Sequence, residues 1–308
     1  MSILVFGSIN MDLVARVPRL PLPGETLTGS SFVSVPGGKG ANQAVACARL
    51  GMQTRLVGRV GEDVFGGSLR DHLQKEGVLV EGVGTTAGTP SGVAVIAVSE
   101  QGENVIIVIP GANGIVGDAD LDHLRSVIDG ARVLLLQLEV PMDTVIKAAR
   151  LGRAHGMTVI LDPAPAKPLP DELYPLVDIL TPNMTEAGIL AGHRVESVED
   201  AKQAAQVLHR RGVTSVIVKM GGEGAYSLTE KEGKRWAPFK VRVVDTVAAG
   251  DAFNGALAVA VCEGRLFHEA MLWGMAGGAL AVTKPGAQEA MPYREELLGL
   301  LEESARVR

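Results

Sequence analysis

The sequence predicts an α/β protein: a doubly wound, mostly parallel sheet covered by helices, with a small β-sheet lid projecting from it. Two observations carry this. Short apolar runs rich in β-branched residues alternate with amphipathic helical stretches through most of the 308 residues. A parallel sheet buried under helices on both faces has that pattern. Two segments break the alternation, because they hold strand patterns and turns but no helix.

In chain order, the buried-strand runs are "ILVFGS" (3–8), "TRLVGRVG" (54–61), "VLLLQLE" (133–139), "TVILDPAP" (158–165), "DILTPN" (178–183) and "TSVIVKMG" (214–221). Each is a near-continuous apolar run rather than an alternating one, as expected for strands covered on both sides. Between them lie "ANQAVACARLG", "MDTVIKAARLGRAHG" and "SVEDAKQAAQVLHRRG", with apolar residues at helical spacing. The last carries a capping box of Ser197 with Asp200 and stops at Gly212. The inserted strands fall at 12–36 and 91–109, and "SEQGEN" is a hairpin turn between two of them. One domain spanning 1–308 with these two insertions is expected. An apolar flap of this kind serves as a lid, an oligomer contact or both.

The totals narrow the function. A net charge of −6, with no block of like charges, argues against nucleic acid or an anionic membrane as the main partner. The opening "MSILVFGSINMDLV" reads as a first strand and not a signal peptide, and no stretch reaches membrane-spanning length. The two cysteines, Cys47 and Cys262, sit in apolar helical patterns, as reduced thiols of a cytoplasmic protein would. The six histidines show no metal-ligand spacing, and no G-x-S-x-G elbow occurs.

Four stretches can carry chemistry. "PGGKGANQAVACARLG" (36–51) feeds a glycine-rich turn into a helix, so free amides and the positive helix end face whatever binds there. It is not a Walker A motif, because Gly40 and not Ser or Thr follows Lys39. A tight turn with a solvated lysine explains it equally well. In "TPNMTEAGIL" (181–190), Thr185 can cap a helix with Glu186 in its first turn, or Asn183 and the carboxylate can orient a hydrated Mg2+ beside phosphates. "VKMGGEGAY" (218–226) is a strand ending in a glycine turn, either a plain β-turn or a place of close backbone approach. In "DTVAAGDAFNGALAVAV" (245–261) a carboxylate, Asp251, enters the first turn of a helix right after Gly250. As an N-terminal anion it should have a low pKa, which suits a phosphoryl transfer where the hydroxyl sheds its proton late. The amides of Ala248 to Asp251 would face the phosphoryl oxygens, so one turn supplies both anion hole and base. A plain N-cap is the competing reading.

Taken together, "GSINMD", "PGGKGANQAVA", "LQLEVP", "DPAPA", "TPNMTEA", "KMGGEG", "DTVAAGDAFNGAL" and "AVTKPGAQEAMP" resemble the ribokinase/PfkB family of carbohydrate kinases in order and spacing over essentially the whole chain. The resemblance implies ATP-dependent phosphorylation of D-ribose at its 5-hydroxyl. It implies Asp251 as base, with Ala248, Ala249 and Gly250 as the anion hole. Asn10, Asp12, Gly38, Lys39, Gly40, Asn42 and Glu139, with Asp251, would hold the sugar. Asn183, Lys219, Met220, Gly221, Gly222, Glu223, Gly224 and Met275 would line the nucleotide together with Gly250 and Asp251. Mg2+ would lie near Asn183 and Glu186.

The resemblance also implies K+ behind the anion hole, on Asp245 with carbonyls of Val247, Ala281, Lys284 and Gly286. Relatives often carry a hydroxyl residue where this chain has Ala290, and a polar or aromatic neighbour of adenine at Met275. A homodimer through the lid is expected. Two other readings stay open: a kinase of the same superfamily acting on 2-deoxyribose, another sugar or a nucleoside, and a non-catalytic sugar- or nucleotide-sensing protein.

Overall fold

The computed structural model describes residues 1–307. Its strands are β1 (Ser2–Phe6), β2 (Asn10–Val17), β3 (Ser31–Gly37), β4 (Thr54–Gly61), β5 (Leu79–Thr86), β6 (Gly92–Ser99) and β7 (Asn104–Ile109). The second half adds β8 (Ala131–Leu136), β9 (Thr158–Leu161), β10 (Ile179–Leu180), β11 (Ser215–Lys219), β12 (Ala225–Leu228) and β13 (Gly233–Trp236). The helices are α1 (Lys39–Arg49), α2 (Val64–Lys75), α3 (Asp118–Val127), α4 (Met142–Ala154), α5 (Met184–Ala191), α6 (Val198–Arg210), α7 (Ala249–Cys262), α8 (Phe267–Ala281) and α9 (Arg294–Val307).

The large sheet runs β13-β12-β11-β10-β9-β8-β1-β4-β5. It is parallel from β5 to β11, and only the β11–β12 and β12–β13 pairings at one edge are antiparallel. From β1 the chain builds outward to β4 and β5 on one side and to β8 and beyond on the other. The gap between β1 and β8 is therefore the switch point where open α/β sheets bind ligands. The alternation of β1 divides the core. Ile3 and Val5 pack with α1, α2, α7 and α8, while Leu4 and Phe6 pack with α3, α4, α5 and α6 on the other face.

The two insertions form one mixed sheet, β3-β2-β6-β7, in which β2 and β6 are parallel and each outer pair is antiparallel. The 99–104 turn closes as a tight hairpin, with Gly102 at φ 83°. β7 is exposed at all six residues, and Phe32, Val33 and Val95 are further exposed apolar side chains of this sheet.

Two edge regions were not legible as strands. β5 carries Glu81 and two glycines, and β13 reads Gly-Lys-Arg-Trp. Edge strands carry such charges because one side lacks a partner, which dilutes the apolar run.

Candidate active site

The carboxyl end of β1 and the start of α1 meet at the switch point. Gly38 has φ 90°, and a Cβ on it would lie 2.6 Å from the Asn10 amide nitrogen. A Cβ on Gly40 would come equally close to the Ser8 nitrogen. These glycines serve close packing of helix on turn. The amides that a phosphate would need are already engaged: Lys39 N–H donates to Glu139 Oε2 at 3.1 Å, Gly40 N–H to the Ser8 hydroxyl at 3.3 Å and Ala41 N–H to the Ser8 carbonyl at 2.9 Å. The positive end of α1 holds the Glu139 carboxylate. The amides of this turn are thus engaged within the protein, while the lysine itself lines the cleft described below.

At α7 the situation is reversed. Ala248 precedes the helix at φ 56°, the one non-glycine residue with positive φ among the described residues, and no side chain caps the helix. A left-handed alanine costs about 1 kcal/mol, and such strain gathers at functional sites. The Ala249 amide leans on the Thr246 carbonyl at 3.4 Å, whereas the Gly250 and Asp251 amides have no acceptor among the described residues. Asp251 is not an N-cap. Its carboxylate accepts from Asn42 Nδ2 at 2.9 Å and from Gln43 Nε2 at 3.0 Å, both on α1.

The expected low pKa of Asp251 is overturned. Burial pushes the carboxyl above the ordinary carboxylate range, Lys39 and the two amides hold it back, and Asp162 adds to the rise. Helix-end stabilisation loses to desolvation because Asp251 is 4% exposed. Burial would pull the Lys39 ammonium down, but Asp251, Asp162 and Glu139 together outweigh it and raise its pKa.

A cleft of about 1050 Å3 opens beside this turn. Of the residues expected on the nucleotide, Asn183, Lys219, Gly221, Gly222, Gly224, Gly250, Asp251 and Met275 line it, as do Ala248, Ala249, Lys39 and Glu186. Met220 and Glu223 do not: Met220 is packed in the core and Glu223 is exposed. Apolar walls from Phe239, Phe253 and Val282 had no signal in the sequence, since each reads as ordinary core.

Lys219 Nζ donates to Asp162 Oδ1 at 3.0 Å, and a Cβ on Gly250 would lie 3.2 Å from that ammonium. A fixed cation therefore stands beside the free amides of α7, and an anion completes the arrangement. Asp162 was missed as a site residue. Its position at the carboxyl end of β9, in "LDPAP", is the signal that points to it. Gln43, Gln137 and Ser8 were missed as well.

Asn183, not Thr185, caps α5. Its Oδ1 accepts the Glu186 amide at 2.8 Å, and the Glu186 carboxylate accepts the Asn183 amide at 2.7 Å and Nδ2 at 2.8 Å. Burial and the nearby Asp162 raise the Glu186 pKa. Glu186 and Asp162 both line this cleft, and two carboxylates on one wall suit a divalent cation bound through oxygen.

On the other side of Lys39 and Asp251, Asn10, Asp12, Gly38, Gly40, Asn42 and Glu139 gather outside the lining of that cleft. Burial pushes Asp12 up to about 7, with the charges of Glu139, Asp251 and Glu289 adding to the rise and Lys39 opposing it. Asp245 ties the turn before α7 to the loop after α8, accepting from Val247 N–H at 3.1 Å and Gly286 N–H at 3.0 Å. With the carbonyls expected beside it, this carboxylate would make an oxygen-only donor set, suited to a hard cation. The Ala281 carbonyl already accepts the Lys284 amide at 3.2 Å, and Ala290 is fully buried with a side chain that offers no oxygen.

The pattern of pfkB family carbohydrate kinases matches residues 1–294. The chain belongs to this family. Among characterised relatives, a ribokinase of Haemophilus influenzae is 40% identical over 301 residues, covering 98% of each chain. A deoxyribokinase of Salmonella typhimurium is 36% identical over 297 residues, 96% of this chain and 97% of the relative. The structure of Arabidopsis thaliana ribokinase complexed with ribose and ATP is similar with a TM-score of 0.90, 36% identity and 98% of both chains covered. As a pfkB carbohydrate kinase the protein is a phosphotransferase, and no helix among the described residues is long and apolar enough to cross a membrane.

Proposed function

We propose that this carbohydrate kinase transfers the γ-phosphoryl group of ATP to the 5-hydroxyl of D-ribose, giving ribose 5-phosphate and ADP. One observation carries the reading. Asp251 lies between the cleft and the polar cluster, and its carboxylate is held by Asn42 and Gln43 next to free amides of its own helix turn. The sugar hydroxyl attacks phosphorus as the bond to ADP breaks, and its proton passes to the Asp251 carboxylate. The raised pKa makes that carboxylate a better base than a helix-end aspartate would be. The Gly250 and Asp251 amides, with Lys219, meet the charge that builds on the phosphoryl oxygens.

Glu186 and Asn183, beside Asp162, would hold Mg2+, which neutralises phosphate charge when bound. Asp245 with carbonyls of Val247, Ala281, Lys284 and Gly286 would hold K+. The apolar lid face pairs two copies of the chain. A cytoplasmic setting fits an ATP-using protein whose two cysteines are free and buried.

Ribose is favoured by the polar groups of Asn10, Asp12, Lys39, Asn42 and Glu139, which would be left unpaired beside a poorer sugar. The deoxyribokinase relatives keep 2-deoxyribose as a second reading. Coupled ADP-release assays over ribose, 2-deoxyribose, fructose and adenosine decide between them. Ribose should give the highest kcat/KM. A higher value for 2-deoxyribose establishes the second reading, and a higher value for adenosine overturns both.

A further inference from the structure

Asn113 is 1% exposed and lies in the turn that follows β7, where no sequence motif pointed to it. Its Oδ1 accepts the Ile9 N–H at 2.9 Å, and its Nδ2 donates to the Ile9 carbonyl at 3.0 Å and to Asn10 Oδ1 at 2.7 Å. The two backbone contacts remove the usual ambiguity of an amide. The Ile9 N–H can only donate and its carbonyl can only accept, so reversing Asn113 would set donor against donor and acceptor against acceptor. Nδ2 of Asn113 therefore faces Asn10, and the Asn10 atom that meets it must be the oxygen. Asn10 is itself 3% exposed, and its Nδ2 has no acceptor among the described residues.

We infer that Asn113 is a positioning residue that locks the Asn10 amide with its Nδ2 left for substrate, so that this subsite offers a hydrogen-bond donor to a sugar oxygen. The inference rests on Asn10 being a sugar contact, as proposed above. A substrate lacking the oxygen there would cover this N–H and leave it unpaired, and should bind about tenfold more weakly.

The lid takes part in the lock. Asn10 and Gly92 are paired across β2 and β6, and a Cβ on Gly92 would lie 2.1 Å from Asn113 Nδ2 and 2.3 Å from Asn10 Oδ1. Any side chain at 92 would enter this hydrogen bond. The Asn113 turn is in turn seated on the chain entering β6, with Ala112 N–H donating to the Pro90 carbonyl at 2.8 Å. Subsite polarity and the placement of the lid base thus share one buried amide.

Two measurements test this. Neutron diffraction from a deuterated, sugar-free crystal reads the amide directly: the Asn10 deuterons should lie on the atom away from Asn113, and the opposite orientation overturns the inference whether or not any sugar is turned over. Kinetics then test its consequence. Asn113→Asp puts an oxygen against Asn10 and should turn its amide. The sugar KM should rise about tenfold or more, with kcat and the ATP KM changed far less.

Across singly deoxygenated riboses, wild type should discriminate most strongly at one position. Asn10→Ala and Asn113→Asp should both erase that same discrimination, and the double variant should lose no more than either single. Gly92→Ala should behave like Asn113→Asp. A uniform loss over the panel, or losses that add in the double variant, would show Asn113 to be structural only. If wild type turns over no sugar, the kinase reading fails, and the neutron result still decides the orientation of Asn10.

Discussion

The side chain of Asn42 donates to Oδ2 of Asp251 at 2.9 Å, although 209 residues separate them in the chain. Gln43, one residue on, donates to the other carboxylate oxygen and also to Asp162 Oδ2 at 3.1 Å. Gln137 Nε2 and Gln288 Nε2 orient these amides from behind, at 2.7 Å and 3.1 Å. The carboxylate proposed as base is thus aimed by a helix from the other end of the sequence.

Asp251→Asn removes the proposed base but keeps the shape. Turnover should fall by at least ~100-fold, the lower end for loss of a general base. The melting temperature should change little, because losing a buried charge offsets the amide contact that the new side chain disturbs. Steady-state kinetics and calorimetry on the purified variant check both, and near-normal turnover would overturn the assignment.

Asp12 links stability to pH. Its carboxyl titrates near 7 in the folded chain and near 3.8 when unfolded, so between those values the folded state binds more protons. Stability from this group is therefore present at low pH and lost as pH rises towards 7 and above. The melting temperature of Asp12→Asn minus that of wild type should grow from pH 4 to pH 8, by roughly 2 °C or more. A pH-independent difference would show that Asp12 is ionised at little cost.

Asp245 belongs to neither the cleft lining nor the polar cluster, yet it bridges the turn before α7 and the 286 amide. K+ should activate over Na+, chiefly in kcat, because the turn it shapes matters most when charge develops. Asp245→Ala should abolish most of that activation while sugar binding survives in calorimetry. Ala290 should make cation binding weak, not absent. Equal activity in K+-free and K+ buffer would show that Asp245 holds the turn alone.

β7 exposes every residue of Asn-Val-Ile-Ile-Val-Ile to solvent, and an exposed apolar strand of that length marks an interface. Sedimentation equilibrium at micromolar concentration should give a dimer, and Ile107→Lys should shift it towards monomer. A wild-type monomer at that concentration would reject pairing through the lid.

The parallel sheet, the helices over both faces and the two inserted strand pairs were legible because each is written in local periodicity. Ile3 and Val5 against Leu4 and Phe6 need only their neighbours to declare two buried faces. The edges were harder, since β13 carries Lys234 and Arg235 where a central strand would be apolar. Residues of the glycine and Asp251 motifs line the candidate cleft. Their meaning did not follow from spacing. Whether the amides at 39–41 or at 250–251 were free depended on Ser8 and Glu139 arriving at the first pair and nothing arriving at the second. The rise in the Asp251 pKa came from burial beneath α1, which outweighs a helix end that the sequence does show. Asp162, Gln43 and Asn113 stayed hidden for the same reason. Their roles lie in partners tens to hundreds of residues away, and a hydrogen bond between distant residues leaves no periodic trace in either segment.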